Sequence, residues 1–163
     1  MGEEIAARTF LFVRTFDASR DLVYRIWTDP RYVTLWWGVP GANLARCELD
    51  VRVGGGWHID MLTPDGVLYP NRGTYLEVVE NERLVYDDVA VKGSPAWRGA
   101  PRGPIVHVVT FEDAHPERTR VSLRVCAQNE ADRDLLARQG FDRVMTATLD
   151  RLTSLIAARR FVG

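Results

Sequence analysis

GFDRVMTATLDRLTSLI, residues 140–156, decides how the rest of the chain is read. Its side chains Phe141, Val144, Met145, Thr148, Leu149, Leu152, Leu155 and Ile156 recur at i, i+3, i+4, i+7, i+8, i+11, i+14 and i+15. That is the stripe of one amphipathic helix, with a single hydroxyl, Thr148, set among apolar groups. About twenty residues make a rod of roughly 30 Å, long enough to lie across a whole sheet. The helical pattern begins at Asn129, so Gly140 marks either a kink or the true start of the long helix.

A helix with one greasy face needs a surface to cover it, and the residues upstream supply one. After a first alternating stretch at 8–16, six more have strand character: 43–52, 56–62, 73–79, 83–91, 105–112 and 119–127. GGG at 54–56, PDG at 64–66, NE at 81–82 and HPE at 115–117 close the chain into hairpins, which implies an antiparallel sheet. In the first stretch Phe10, Phe12 and Phe16 share one face and Leu11 and Val13 the other, so both faces are expected to be covered. Between the first and second stretches Ser19 offers a helix cap, and Asp21–Trp27 places Val23, Ile26 and Trp27 at helical spacing. A second short helix runs from Arg31 to Trp37 and stops at Gly38. The order βαα, six strands, then α gives an α+β architecture of about seven strands in a single domain, 1–163. A sheet curved around the last helix leaves a space between them, the natural place for a site.

Bulk properties narrow the function. With 46% hydrophobic and 26% charged residues the composition is that of an ordinary globular protein, and no apolar run approaches the roughly 20 residues needed to span a bilayer. Twenty-one basic residues stand against 22 acidic ones along the chain, so no nucleic-acid partner is expected. Cys47 and Cys126 each stand alone in an alternating run, without CxxC spacing, and read as two buried thiols rather than a disulfide or a metal site. MGEEIAARTF has no basic region followed by an apolar stretch, so the expectation is a cytoplasmic protein. GxSxG, a Gly-rich phosphate loop and HExxH are all missing, which argues against hydrolase, nucleotide and metalloenzyme readings, and no cofactor is implied.

Strand parity assigns faces. Trp57, Ile59 and Met61 should meet the helix, with His58 and Asp60 a solvated pair behind them, and Val121, Leu123 and Val125 should do likewise. By the same count Leu84, Tyr86 and Asp88 lie together, as do Ile105, His107, Val109 and Phe111, with Tyr75 beside them. Asp88 and His107 therefore point among apolar side chains. His107 is either a core histidine satisfied by partners or a group kept for a ligand. Trp36 and Trp37 differ by about 100° on a helix, so one should line the interior and the other shield an edge. Residues 92–104, KGSPAWRGAPRGP, form a breaker-rich connection in which Trp97 either gates a cavity or pins its own loop.

RTFDASRDLVYRIWTDPRYVTLWWG, ELDVRVGGGWHIDM, PDG, GTYLEVVENERLVY, VTFED, TRVSL and GFDRVMTATLDRL, in this order and spacing, resemble the AHSA-type branch of the START-like (SRPBCC) superfamily over roughly residues 8–156. The resemblance implies a helix-grip fold: a curved antiparallel sheet around a long C-terminal helix, enclosing a hydrophobic cavity. Relatives of this kind include lipid carriers, hormone receptors, polyketide cyclases and self-resistance proteins. The chaperone activator that names the branch carries a further N-terminal domain, for which 163 residues leave no room, so chaperone stimulation is not expected.

Three functions follow as expectations. The first is binding of a small hydrophobic or aromatic molecule by Trp37, Trp57, Met61, Tyr75, Tyr86, His107, Phe141, Met145 and Leu149. The second is a cyclase-like enzyme in which His107 with Asp88 acts as base and orienter and Tyr75 or Tyr86 donates to a developing enolate. The third is an interaction module, either a homodimer or a chaperone partner.

Overall fold

The computed structural model describes residues 2–101 and 103–161. Strands β1 (Thr9–Phe16), β2 (Asn43–Leu49), β3 (Gly56–Leu62), β4 (Leu68–Val79), β5 (Arg83–Ala90), β6 (Ile105–His115) and β7 (Arg118–Cys126) form one antiparallel sheet in the order β1-β7-β6-β5-β4-β3-β2. The hairpin signals turn the chain where the sequence places them. Gly66 takes φ 86° in the PDG turn, and Asn81 and Glu117 take the left-handed conformation (φ 62° each) at two others. Helices α1 (Gly2–Ala7), α2 (Arg20–Thr28), α3 (Pro30–Trp36), α4 (Glu130–Arg138) and α5 (Phe141–Ala157) complete the chain.

Gly140, at φ 82°, is the true start of the long helix rather than a kink, because its left-handed conformation separates α4 from α5. Seventeen residues make α5 about 25 Å long, somewhat shorter than its apolar pattern implies. Ser19 occupies the position before α2 but makes no capping bond, whereas Asp29 ends α2 and caps α3 by accepting the Arg31 backbone N–H.

Three expectations need correction. Strand β4 begins at Leu68, five residues earlier than the alternation suggested, and runs through Pro70. A proline is tolerated there because β4 has outrun its neighbour: pairing with β5 starts only at Asn71↔Ala90. Leu11 and Val13 are exposed, so β1 is covered on its inner face alone, where Phe10 and Phe16 are buried. Cys47 and Cys126 are free but only half-buried.

The interior divides in two. A larger cluster joins β1, β5, β6 and β7 to α2, α4 and α5, with Phe16, Ile26, Leu84, Val109, Val125 and Leu152 at its centre. A smaller one, Val33, Trp57, Ile59 and Tyr75, joins α3 to β3 and β4. Trp37, Val51, Val78 and Tyr86 touch both. Between the clusters lies a concavity.

Candidate functional site

The concavity is a pocket of about 430 Å³, within the usual range for small-molecule sites. It opens between the inner face of the sheet and the N-terminal half of α5. All nine residues expected to line a ligand site border it, and so does Asp88. All five tryptophans of the chain border it as well, so Trp36 and Trp37 both reach the pocket, where one of the two was expected to shield an edge. Trp36 is buried and donates its indole N–H to the Ile26 carbonyl (3.0 Å), yet still shows an edge to the pocket, while Trp37 is half-buried.

Several walls are held by specific local geometry. Trp57 stands opposite Gly73 in the β3–β4 register and donates its indole N–H to the Asp87 carbonyl, 2.9 Å away on β5. A Cβ on Gly73 would lie 2.1 Å from that indole nitrogen and 1.9 Å from the same carbonyl, so only glycine lets the ring lie across β4. Gly38 (φ 97°) ends the α3 segment in a bend against Met61, and its carbonyl lies 3.0 Å from the Thr148 hydroxyl. Thr148 is also 2.8 Å from the Val144 carbonyl, so this hydroxyl is occupied by the protein itself although it lines the pocket. Trp97, in a single 3-10 turn (Pro95–Trp97), donates to the Pro70 carbonyl and packs edge-on against Tyr69. Trp97 thus pins its loop to β4, the second of the two expectations, and also borders the pocket.

A row of side chains runs across the sheet by register: Tyr75 opposite Tyr86, Tyr86 opposite His107, His107 opposite Val125, Val125 opposite Phe10. The Tyr86 and His107 rings stack in parallel, 4.9 Å apart at 11°, and Tyr75 and Trp57 meet Tyr86 edge-on. His107 is buried, and its Nε2 has no hydrogen-bond partner. Asp88 Oδ2 lies 3.9 Å from it, too far for a hydrogen bond. Burial pushes His107 down to about 4 and Asp88 up to about 7, the latter helped by the Asp87 charge. His107 is disfavoured in its charged form because water has been stripped from it, whereas Asp88, its side chain 28% exposed, is only partly desolvated and is disfavoured as an anion to a lesser degree than full burial would impose. By contrast His58 and Asp60 lie on the outer face with Arg46 and Arg72, as parity indicated. Among the described residues Asp88 is the one carboxylate lining the pocket, and no lysine or arginine lines it.

Tyr69 and Asn71 were missed. Both line the pocket, and they share the parity of Tyr75, so alternation carried back through Pro70 would have found them. Asn71 is buried and donates to the Ile59 and Tyr69 carbonyls. Leu136 of α4 and Gln139, which caps its C-terminus, had no signal in the strand pattern, because only the docking of α4 brings them to the rim.

A curved antiparallel sheet gripping a C-terminal helix is the helix-grip architecture of START-like domains, a class that in general binds ligands. Within it the chain belongs to the family described as Activator of Hsp90 ATPase homolog 1-like protein, whose model matches residues 17–157. A crystal structure from Nitrosomonas europaea is similar at a TM-score of 0.81 and 23% identity, over 96% of this chain and 99% of that one. A solution structure from Arthrobacter aurescens matches at 0.80 and 24%, over 94% and 88%. The crystal structure of a Silicibacter pomeroyi protein of the same family matches at 0.76 and 17%, over 93% and 99%. At these identities the likeness is one of fold. No curated protein matches the sequence significantly. No helix among the described residues is long and apolar enough to cross a membrane.

Proposed function

We propose that the chain binds a small apolar or aromatic molecule in the pocket between the sheet and the N-terminal half of α5. The observation that carries this reading is the convergence of all five tryptophans on one concavity whose few polar groups include an unpartnered buried imidazole. A core built for stability alone would close such a space, since an unfilled hole forfeits packing contacts and an unpaired buried nitrogen forfeits hydration. Native mass spectrometry of gently purified protein should reveal a co-purifying small molecule. Titration with naphthalene should change the intrinsic tryptophan fluorescence with 1:1 saturation, and Met145→Trp, which fills the space, should abolish the response while the protein stays folded. The absence of any saturable response in the unsubstituted protein would refute the proposal.

A second reading, acid–base catalysis on a polyketide-like substrate, is favoured by the juxtaposition of His107 and Asp88. A neutral imidazole beside a carboxyl group pushed up to about 7 could pass a proton near neutral pH. On this reading His107→Ala abolishes turnover and leaves naphthalene binding intact. Retained turnover would exclude it.

A further inference from the structure

Resting on the binding reading above, we propose that the ligand is an uncharged aromatic or alicyclic alcohol whose hydroxyl sits between His107 Nε2 and Asp88 Oδ2. The two atoms are 3.9 Å apart. One oxygen placed about 2.8 Å from each would subtend an angle of roughly 90° between them, which a hydroxyl can adopt while donating to one and accepting from the other. An oxygen that both donates and accepts matches two arrangements of the pair: it accepts from Nε2–H while donating to an ionised carboxylate, or donates to bare Nε2 while accepting from a protonated carboxyl.

The alternatives fit less well. A carboxylate or phosphate in this position would meet Asp88 with no lysine or arginine among the described lining residues to balance it. His107 does not supply the missing positive charge, because burial holds it at about 4. An ammonium would find aromatic faces and a carboxyl group, but desolvation favours that carboxyl in its neutral form, and the cation would lose its own hydration on entering an apolar hole. A plain hydrocarbon would fill the walls and leave Nε2 unpaired.

The shape of the polar corner also favours a ring carrying the hydroxyl. His107 is backed by the parallel Tyr86 ring, which is flanked edge-on by Trp57 and Tyr75, so the space beside the hydroxyl position is bounded by aromatic surfaces.

Four probes that share one ring system test this by calorimetric titration at pH 7: naphthalene, 2-naphthol, 2-naphthoate and 2-naphthylmethylammonium. The expected order has 2-naphthol on the order of tenfold tighter than naphthalene, with both ions weaker than naphthalene. His107→Leu should bring the ratio of 2-naphthol to naphthalene affinity to about one, whatever it does to either affinity alone. Equal affinity for naphthalene and 2-naphthol, or tightest binding of either ion, would overturn the proposal while leaving the apolar pocket in place. Failure of all four probes to bind would overturn the pocket reading itself. The panel on the unsubstituted protein is decisive even if the leucine variant does not fold.

Discussion

The two halves of α5 carry the same apolar stripe and meet different surroundings. Leu152 and Ile156, in the second half, are sealed against the inner faces of β5, β6, β7 and β1 with α2 packed beside them, while Leu149 at the midpoint is buried yet still borders the pocket. Phe141, Val144 and Met145, in the first half, stay partly exposed, and Phe141, Val144 and Met145 all border the pocket. The difference arises in the sheet. On the β2–β4 wing the inner face is topped by Val33 of α3 and by Trp37, so the wing builds its own small cluster instead of reaching the helix. A stripe at 3.6-residue spacing announces that a helix has a buried side. It does not announce how much of that side finds a partner.

The largest effect should come from truncating the sealed half. Leu152 is 0% exposed, and Leu152→Ala should cost about 2–5 kcal/mol in urea unfolding. Met145→Ala in the open half should cost clearly less, because its side chain already borders a space; equal losses would break the comparison. Next comes Gly73→Ala, which drives a methyl into the Trp57 indole and the Asp87 carbonyl. We expect a loss of about 1–3 kcal/mol together with a changed tryptophan emission spectrum, and an unchanged spectrum would argue that Trp57 is not held as described.

The pH dependence sharpens the contrast further, since the sealed side chains Leu152 and Ile156 do not titrate while the pocket holds two groups that do. His107 is held at about 4 against an ordinary 6.5, so as pH falls through 6.5 toward 4 the unfolded chain gains a proton that the folded one refuses, and stability is lost. Asp88 is held at about 7 against 3.8, so as pH rises from 3.8 to 7 the unfolded chain releases a proton that the folded one keeps, and stability is lost in that direction instead. Between about 4 and 6.5 the two contributions oppose and largely cancel. Relative to the unsubstituted protein, Asp88→Asn should therefore lose stability on acidification, and His107→Leu should lose it as pH rises across the window, each by at most about 1.4 kcal/mol per pH unit. Curves parallel to the unsubstituted one would show that the pair is not buried uncharged. The smallest effect belongs to the rim: Trp97→Phe removes the bond to the Pro70 carbonyl and should cost about 0.5–1.5 kcal/mol, while exchange protection drops selectively in residues 92–101.

Much of the site was legible because β structure has a strict period of two. Trp57, Ile59 and Met61 could be told from His58 and Asp60, and His107 could be set beside Tyr86, by counting alone. Tyr69 and Asn71 escaped because Pro70 interrupts the count, and a proline on a strand is harmless only where the neighbouring strand has ended, which is a fact about another segment. Thr148 stood out as the one hydroxyl on an apolar stripe, and what occupies that hydroxyl is carbonyls of the protein, one of them 110 residues away in sequence.

By itself the sequence determined the α+β class, the order of the elements, the hairpins and the inward face of most strands, because these depend on local periodicity and on turn residues. Tertiary structure alone decided that the core would divide into two clusters, that five tryptophans would converge on the gap, and that a histidine nitrogen and an aspartate oxygen would stop 3.9 Å apart. Those outcomes depend on where the sheet stops following the helix, and that is set by packing between residues far apart in the chain, which no local pattern encodes.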